Sequence, residues 1–214
     1  MNKKILFLDM DGTLYPIEKG SFLKSKTHDQ IKKRTIQYIC EKLNFSQEKA
    51  EEIFDLLMKD YPKYYSVGLK ELYGLERREY LDFVWDMNAS KLINVEKETI
   101  ELIRLLSEKY DIYLVSDAPK IWIENVSQYL GISNLLKGKF SGTDLNKKKK
   151  EGLFEDLISL VQKNPNEIFM VGDEEEVDII PAKKLGINTI FIGKESSADY
   201  NIEKLSEIKN ILLP

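Results

Sequence analysis

Asp9 and Asp11 stand two residues apart at the end of a short apolar run, Ile5-Leu6-Phe7-Leu8, and Gly12 and Thr13 follow at once. Two carboxylates this close repel each other, so a nearby cation is the natural remedy. Gly12 lets the chain turn sharply and offer amide N–H groups to an anion. A third carboxylate, Asp173, follows a second apolar run, Ile168-Phe169-Met170-Val171, through Gly172, with Asp178 five residues further on. A third run, Ile112-Tyr113-Leu114-Val115, ends in Ser116 and Asp117, and Lys147, Lys148, Lys149 and Lys150 precede a helical pattern. Together these supply carboxylates for a hard divalent cation, with a hydroxyl and an ammonium for a phosphoryl group. Mg²⁺ prefers oxygen ligands and usually takes one or two carboxylates together with substrate phosphate.

The elements that must position these residues are short strands. The runs at 4–8, 112–115, 168–171 and 189–192 are nearly continuous in apolar residues and rich in β-branched and aromatic types, as in strands covered on both faces. Lys139–Ser141 is a further short strand candidate. Helical patterns at 96–109, 120–130, 151–162 and 175–185 separate them. The alternation predicts an α/β fold with a doubly wound, mainly parallel sheet. In such sheets, sites lie outside the carboxyl ends of the strands, where Asp9, Ser116 and Asp173 fall.

Residues 16–90 break the alternation and hold helical patterns only, which predicts a core domain of 1–15 with 91–214 and a small helical domain inserted at 16–90. Thr27 with Gln30 has the spacing of a capping box and opens a helix to about Leu43. Ser46 caps a second helix reaching Asp60, Pro62 stops it, and Glu76–Met87 is a third. His28, the single histidine, falls in a helix start and reads as structural, and Cys40 reads as core.

Composition narrows the functions. The chain has 214 residues, 43% hydrophobic and 32% charged, enough to bury a sizeable core. A net charge of −4 argues against a nucleic-acid partner or an anionic membrane. No run approaches the roughly 18 apolar residues of a membrane span. One cysteine excludes an internal disulfide framework and any multi-cysteine zinc site. The expected setting is cytoplasmic, the expected partner a small phosphorylated metabolite, and the expected state a monomer or homodimer.

The motifs in this order resemble the haloacid dehalogenase (HAD) superfamily, subfamily I with a helical cap. Asp9-x-Asp11-Gly12-Thr13 looks like its first motif and Ser116 its second. A lysine in 147–150 looks like its third, and Gly172-Asp173 with Asp178 its fourth. The resemblance implies a HAD-type Rossmannoid core and a Mg²⁺-dependent phosphatase that works through an aspartyl-phosphate. Asp9 would be the nucleophile, Asp11 the acid and base, and Ser116 and a lysine the phosphoryl ligands. Mg²⁺ would sit on Asp9, Asp173 and the main-chain carbonyl of Asp11, with Asp178 orienting the lysine or the metal waters. Dehalogenating members lack an Asp at the position of Asp11, which argues for phosphoryl transfer.

Spacing to Asp173 and Phe154 favours Lys148, with Lys147, Lys149 and Lys150 open. Asp117 departs from the Asn usual after the motif-two serine, and four lysines replace the usual Lys-Pro. Gly12, Thr13, Ser116 and Asp117 are the expected substrate-binding residues of the core.

The resemblance also implies that the insert covers the site and chooses the leaving group. Its Asp60–Gly68 stretch, with Tyr61, Tyr64 and Tyr65, offers aromatic faces to a base or sugar. With Tyr15-Pro16 it loosely resembles the pyrimidine 5′-nucleotidase-like branch, so Tyr64 and Tyr65 are substrate-binding candidates. A nucleotide and a sugar phosphate both remain open as substrate. The competing readings are a phosphomutase using the same Asp9 chemistry and a non-catalytic module that binds a phosphorylated ligand.

Overall fold

The computed structural model describes residues 3–17, 21–145 and 147–213. It divides into two compact units, Met1–Pro16 with Ile93–Pro214, and Ile17–Leu92.

The chain opens with β1 (Lys4–Leu8), whose four apolar residues are all buried. Four helices of the inserted unit follow: α1 (Lys26–Leu43), α2 (Gln47–Asp60), α3 (Tyr65–Tyr73) and α4 (Arg77–Trp85). The first unit then resumes with α5 (Lys97–Lys109), β2 (Tyr110–Ser116), α6 (Lys120–Tyr129), β3 (Leu136–Ser141), α7 (Leu153–Val161) and β4 (Ile168–Gly172). It closes with α8 (Ile180–Lys184), β5 (Asn188–Ile192), β6 (Tyr200–Ile202) and α9 (Lys209–Leu212).

The six strands form one sheet in the order β3-β2-β1-β4-β5-β6, and every pairing is parallel. The fold is therefore doubly wound α/β. The order steps outward from β1 to β3 on one side and from β4 to β6 on the other. The topological switch lies between β1 and β4, where a crevice opens at the strands' carboxyl ends. Leu8 pairs with Leu114 on one side and Val171 on the other, so Asp9 emerges at the centre of that rim.

Burial on both faces explains the apolar runs. Ile5 and Phe7 join Val115, Leu153, Phe154, Leu157, Ile168 and Met170 in one cluster. Phe7 stacks on Phe154, with ring centroids 6.3 Å apart. Leu6 and Leu8, at alternate positions, face the other side and are equally buried. Phe154→Ala should cost about 3–5 kcal/mol of unfolding free energy in urea, because it removes an aromatic ring from the centre of this layer.

Several boundaries depart from the sequence reading. The cap of α1 is Ser25, whose hydroxyl accepts from the N–H of His28 at 3.2 Å, and not Thr27. Ser25 has the extended backbone that a cap needs, whereas Thr27 already lies inside the helix. Ser46 caps α2 as expected, accepting from Lys49 N–H. Part of the tyrosine-rich stretch, read as a possible ligand surface, is the helix α3. The predicted helix at 175–185 begins as a wide π-type turn over Glu175–Ile179, and only Ile180–Lys184 is α-helical. Pro181 has no N–H to give to the turn before it, which favours this break in the helical ladder. Strand β6 was not foreseen, being three residues with two exposed. Cys40 is half-buried and not core.

His28 is buried inside the helical unit, with Nε2 3.0 Å from the Tyr65 hydroxyl. Burial holds its pKa below the ordinary 6.5, with Asp29 opposing and Lys32 assisting. The unfolded chain therefore protonates first as pH falls. Stability from the neutral imidazole is complete above the unfolded value and is lost as pH falls through the lowered folded value. The melting temperature should fall between pH 7 and pH 5, and by less in His28→Gln. An equal fall in both proteins would exclude His28 as its source.

Candidate active site

Asp9 leaves β1 with its N–H donated to Val171 O at 2.9 Å, which locks the tip of β1 to the tip of β4. The chain then turns tightly: Thr13 and Leu14 donate to Met10 O, and Gly12 N–H donates to Tyr15 O at 3.0 Å. Gly12 has φ +89, and a Cβ there would collide with the Asp173 carboxylate. A Cβ on Gly172 would likewise collide with the Asp178 carboxylate. These glycines let the two aspartates press against the backbone.

Asp9, Asp173 and Asp178 each offer a carboxylate oxygen within 4.8 Å of the others. Thr13 Oγ1 donates to Asp173 Oδ1 at 3.3 Å. Into this cluster comes one ammonium, that of Lys149, 3% exposed, which donates to Asp9 Oδ1 at 2.6 Å and also to Asp178 Oδ1. The second oxygen of Asp178 accepts from Glu174 N–H at 3.1 Å.

The electrostatics follow. Burial opposes the charge of Lys149, but Asp178 and Asp9 overcome it and hold the ammonium far above the usual lysine range. Burial and the Asp9 charge push Asp173 up to about 8. Burial raises Asp178 to about 7, against the pull of Lys149. With its carboxylates ionised, the cluster has more negative charge than Lys149 can balance. A hard divalent cation with oxygen ligands fits this donor set.

Asp11 stands beside this cluster. Tyr15 Oη and Trp122 Nε1 both donate to its Oδ1, the latter at 3.4 Å. Burial raises its carboxyl to about 6 against the Tyr15 hydrogen bond, with a further upward push from Asp9. Ser116, buried at the end of β2, accepts from Ala118 N–H at 3.0 Å, so its own O–H hydrogen is available to donate.

The lysine expectation needs correction. Lys148 Nζ reaches Asp117 O at 3.0 Å and Thr143 Oγ1 at 2.6 Å, so it ties two loops together and does not face Asp9. Lys147 pairs with Asp156, and Lys150 is exposed. The lysine that meets Asp9 is the one after Lys148, Lys149. A usable signal was Glu151, whose carboxylate accepts from Lys148 N–H at 3.2 Å. Glutamate three residues after 148 marks 148 as the cap and Lys149 as the first residue of the following turn.

Asp117 does not offer its carboxylate to an anion. Its Oδ1 accepts from Lys149 N–H at 3.1 Å, so it fixes the loop that carries the buried lysine. Tyr65 is also corrected. It is buried, its hydroxyl meets His28 and Met58, and its ring lies against Phe54. Tyr64 is 45% exposed, beside the start of α3. Sequence reasoning missed Tyr15 and Trp122 as neighbours of Asp11; Trp122 lies 111 residues away in the chain.

A sequence model of the haloacid dehalogenase-like hydrolases matches residues 3–186, most of the chain. The chain belongs to this family. Solved HAD-fold structures align over nearly the full length of both chains. A HAD phosphatase from Thermococcus onnurineus is 22% identical over 98% of this chain and 97% of its own, with a TM-score of 0.69. A 2-haloacid dehalogenase from Pseudomonas syringae pv. Tomato DC3000 is 16% identical over 99% of each chain, with a TM-score of 0.62. The HAD-hydrolase candidate YfnB from Bacillus subtilis, bound to magnesium, is 18% identical over 100% of each chain, with a TM-score of 0.61. At these identities the likeness shows the HAD fold. Among the described residues, no helix is long and apolar enough to cross a membrane.

Lys149→Met should destabilise this HAD hydrolase by about 3–5 kcal/mol in urea titrations with chelator present, because it leaves two buried carboxylates without their counter-charge. Lys148→Met should cost about 1 kcal/mol, the worth of ordinary hydrogen bonds. Equal losses would refute the different burial roles of the two lysines.

Proposed function

We propose that this HAD hydrolase is a phosphatase acting on a small phosphomonoester of the nucleotide or sugar phosphate class. The observation that carries the reading is Asp11. A carboxyl with its pKa raised to about 6 stands next to the Asp9–Lys149 pair. A halide leaving group needs no proton, whereas the oxygen of a phosphate ester does.

In this reading Asp9 attacks phosphorus as the bond to the ester oxygen breaks, and Asp11 gives its proton to that oxygen. Asp11 then takes a proton from water, which attacks phosphorus and frees Asp9. Lys149 orients Asp9, and the Ser116 O–H binds a phosphoryl oxygen. Asp9, Asp173 and the carbonyl of Asp11 would hold Mg²⁺, which when bound offsets the repulsion between carboxylate and ester. Asp178, engaged by Lys149, positions that lysine.

A panel of phosphate esters, assayed with Mg²⁺ and with EDTA, tests the reading. Phosphate release should require the metal, fall to background in Asp9→Asn, and drop about 10²–10⁴-fold in Asp11→Asn. Release unaffected by Asp9→Asn would overturn it.

A further inference from the structure

Asp11 is held by two donors from separate parts of the first unit. Tyr15 lies at the far end of the tight turn, where its carbonyl accepts from Gly12 N–H and its hydroxyl donates to Asp11. Trp122 comes from α6, is fully buried, and donates from Nε1 at 3.4 Å. Both meet the same oxygen, Oδ1. A protonated carboxyl has one O–H and one acceptor oxygen. The phenol and the indole at one oxygen fix the plane of the carboxyl and face the charge that a departing proton leaves behind.

We propose that Tyr15 and Trp122 are positioning residues for proton transfer: they fix the orientation of the Asp11 carboxyl and receive the charge that appears as the proton leaves. This rests on the phosphatase reading above. As an Asp9 oxygen bonds to phosphorus, the P–O ester bond breaks and its electron pair goes to the leaving oxygen. That oxygen takes the Asp11 proton, and Asp11 becomes a carboxylate whose charge is shared with Oδ1. Hydrogen bonds to an ionised acceptor are roughly twice as strong as neutral ones. The phenol and indole donors therefore hold Asp11 more tightly as the proton departs than before, which is the differential binding that lowers a barrier.

A merely structural role, in which Asp11 satisfies two buried donors, predicts a different outcome. The test compares kcat/KM for p-nitrophenyl phosphate with that for the alkyl phosphate best turned over in the panel. This ratio reports events up to formation of the phosphorylated Asp9, so the later hydrolysis does not intrude. The nitrophenolate leaves without a proton, and an alkoxide does not. Tyr15→Phe keeps the ring and its packing. It should lower kcat/KM on the alkyl ester about tenfold more than on the aryl ester, a fraction of the full worth of the acid. Trp122→Phe should shift the ratio the same way, and Tyr15→Phe alone decides if that variant does not fold. Equal losses on both esters, or none, would overturn the inference and leave the phosphatase reading standing. A wild-type enzyme inert toward every ester would overturn that reading and this one with it.

Discussion

The buried ammonium of Lys149, lodged between Asp9 and Asp178, is the contact on which the rest of the molecule's chemistry depends. Desolvating a carboxylate costs several kcal/mol unless a counter-charge compensates, and this rim gathers Asp9, Asp173 and Asp178. One ammonium neutralises part of that charge. A hard cation taking the place of protons on Asp173 and Asp178 would balance the rest. The same arrangement holds the Asp9 carboxylate in place, while burial pushes its neighbour Asp11 toward the protonated form. Two aspartates two residues apart thus lie in different surroundings, one against an ammonium and the other against a phenol and an indole.

The sheet makes this gathering possible. Asp9 and Asp173 follow adjacent parallel strands, β1 and β4, and the Asp9 N–H to Val171 carbonyl bond fixes their relative height. The wide turn over Glu175–Ile179 then brings Asp178 back over Gly172. Lys149 arrives from the other side, its backbone held by Asp117 at the end of β2. The two aspartates at the strand tips are placed by backbone hydrogen bonding, and the lysine side chain that reaches them leaves a backbone that is itself anchored.

Much of this was legible in the sequence because parallel strands buried on both faces leave an unmistakable apolar run. The runs at 4–8, 112–115, 168–171 and 189–192 all lie within strands, and the acids that follow two of them fall at the rim. What was not legible shares a different cause. Four consecutive lysines carry no periodicity, so only the phase of the following turn separates Lys149 from Lys148. Ser25 and Thr27 are both competent caps, and the backbone conformation chooses between them. The tyrosines of 61–65 resembled a ligand surface because aromatic rings suit either role; for Tyr65, packing against Phe54 and His28 decides. The pairing of Asp11 with Trp122 spans 111 residues and has no local signature.

The missing side chain at Gly12 has a consequence for how such an enzyme can diversify. Any larger residue there would displace the carboxylate of Asp173. That part of the rim is therefore bare peptide. Variation that leaves the acidic cluster intact has to fall elsewhere in the chain, on segments that do not touch Asp173.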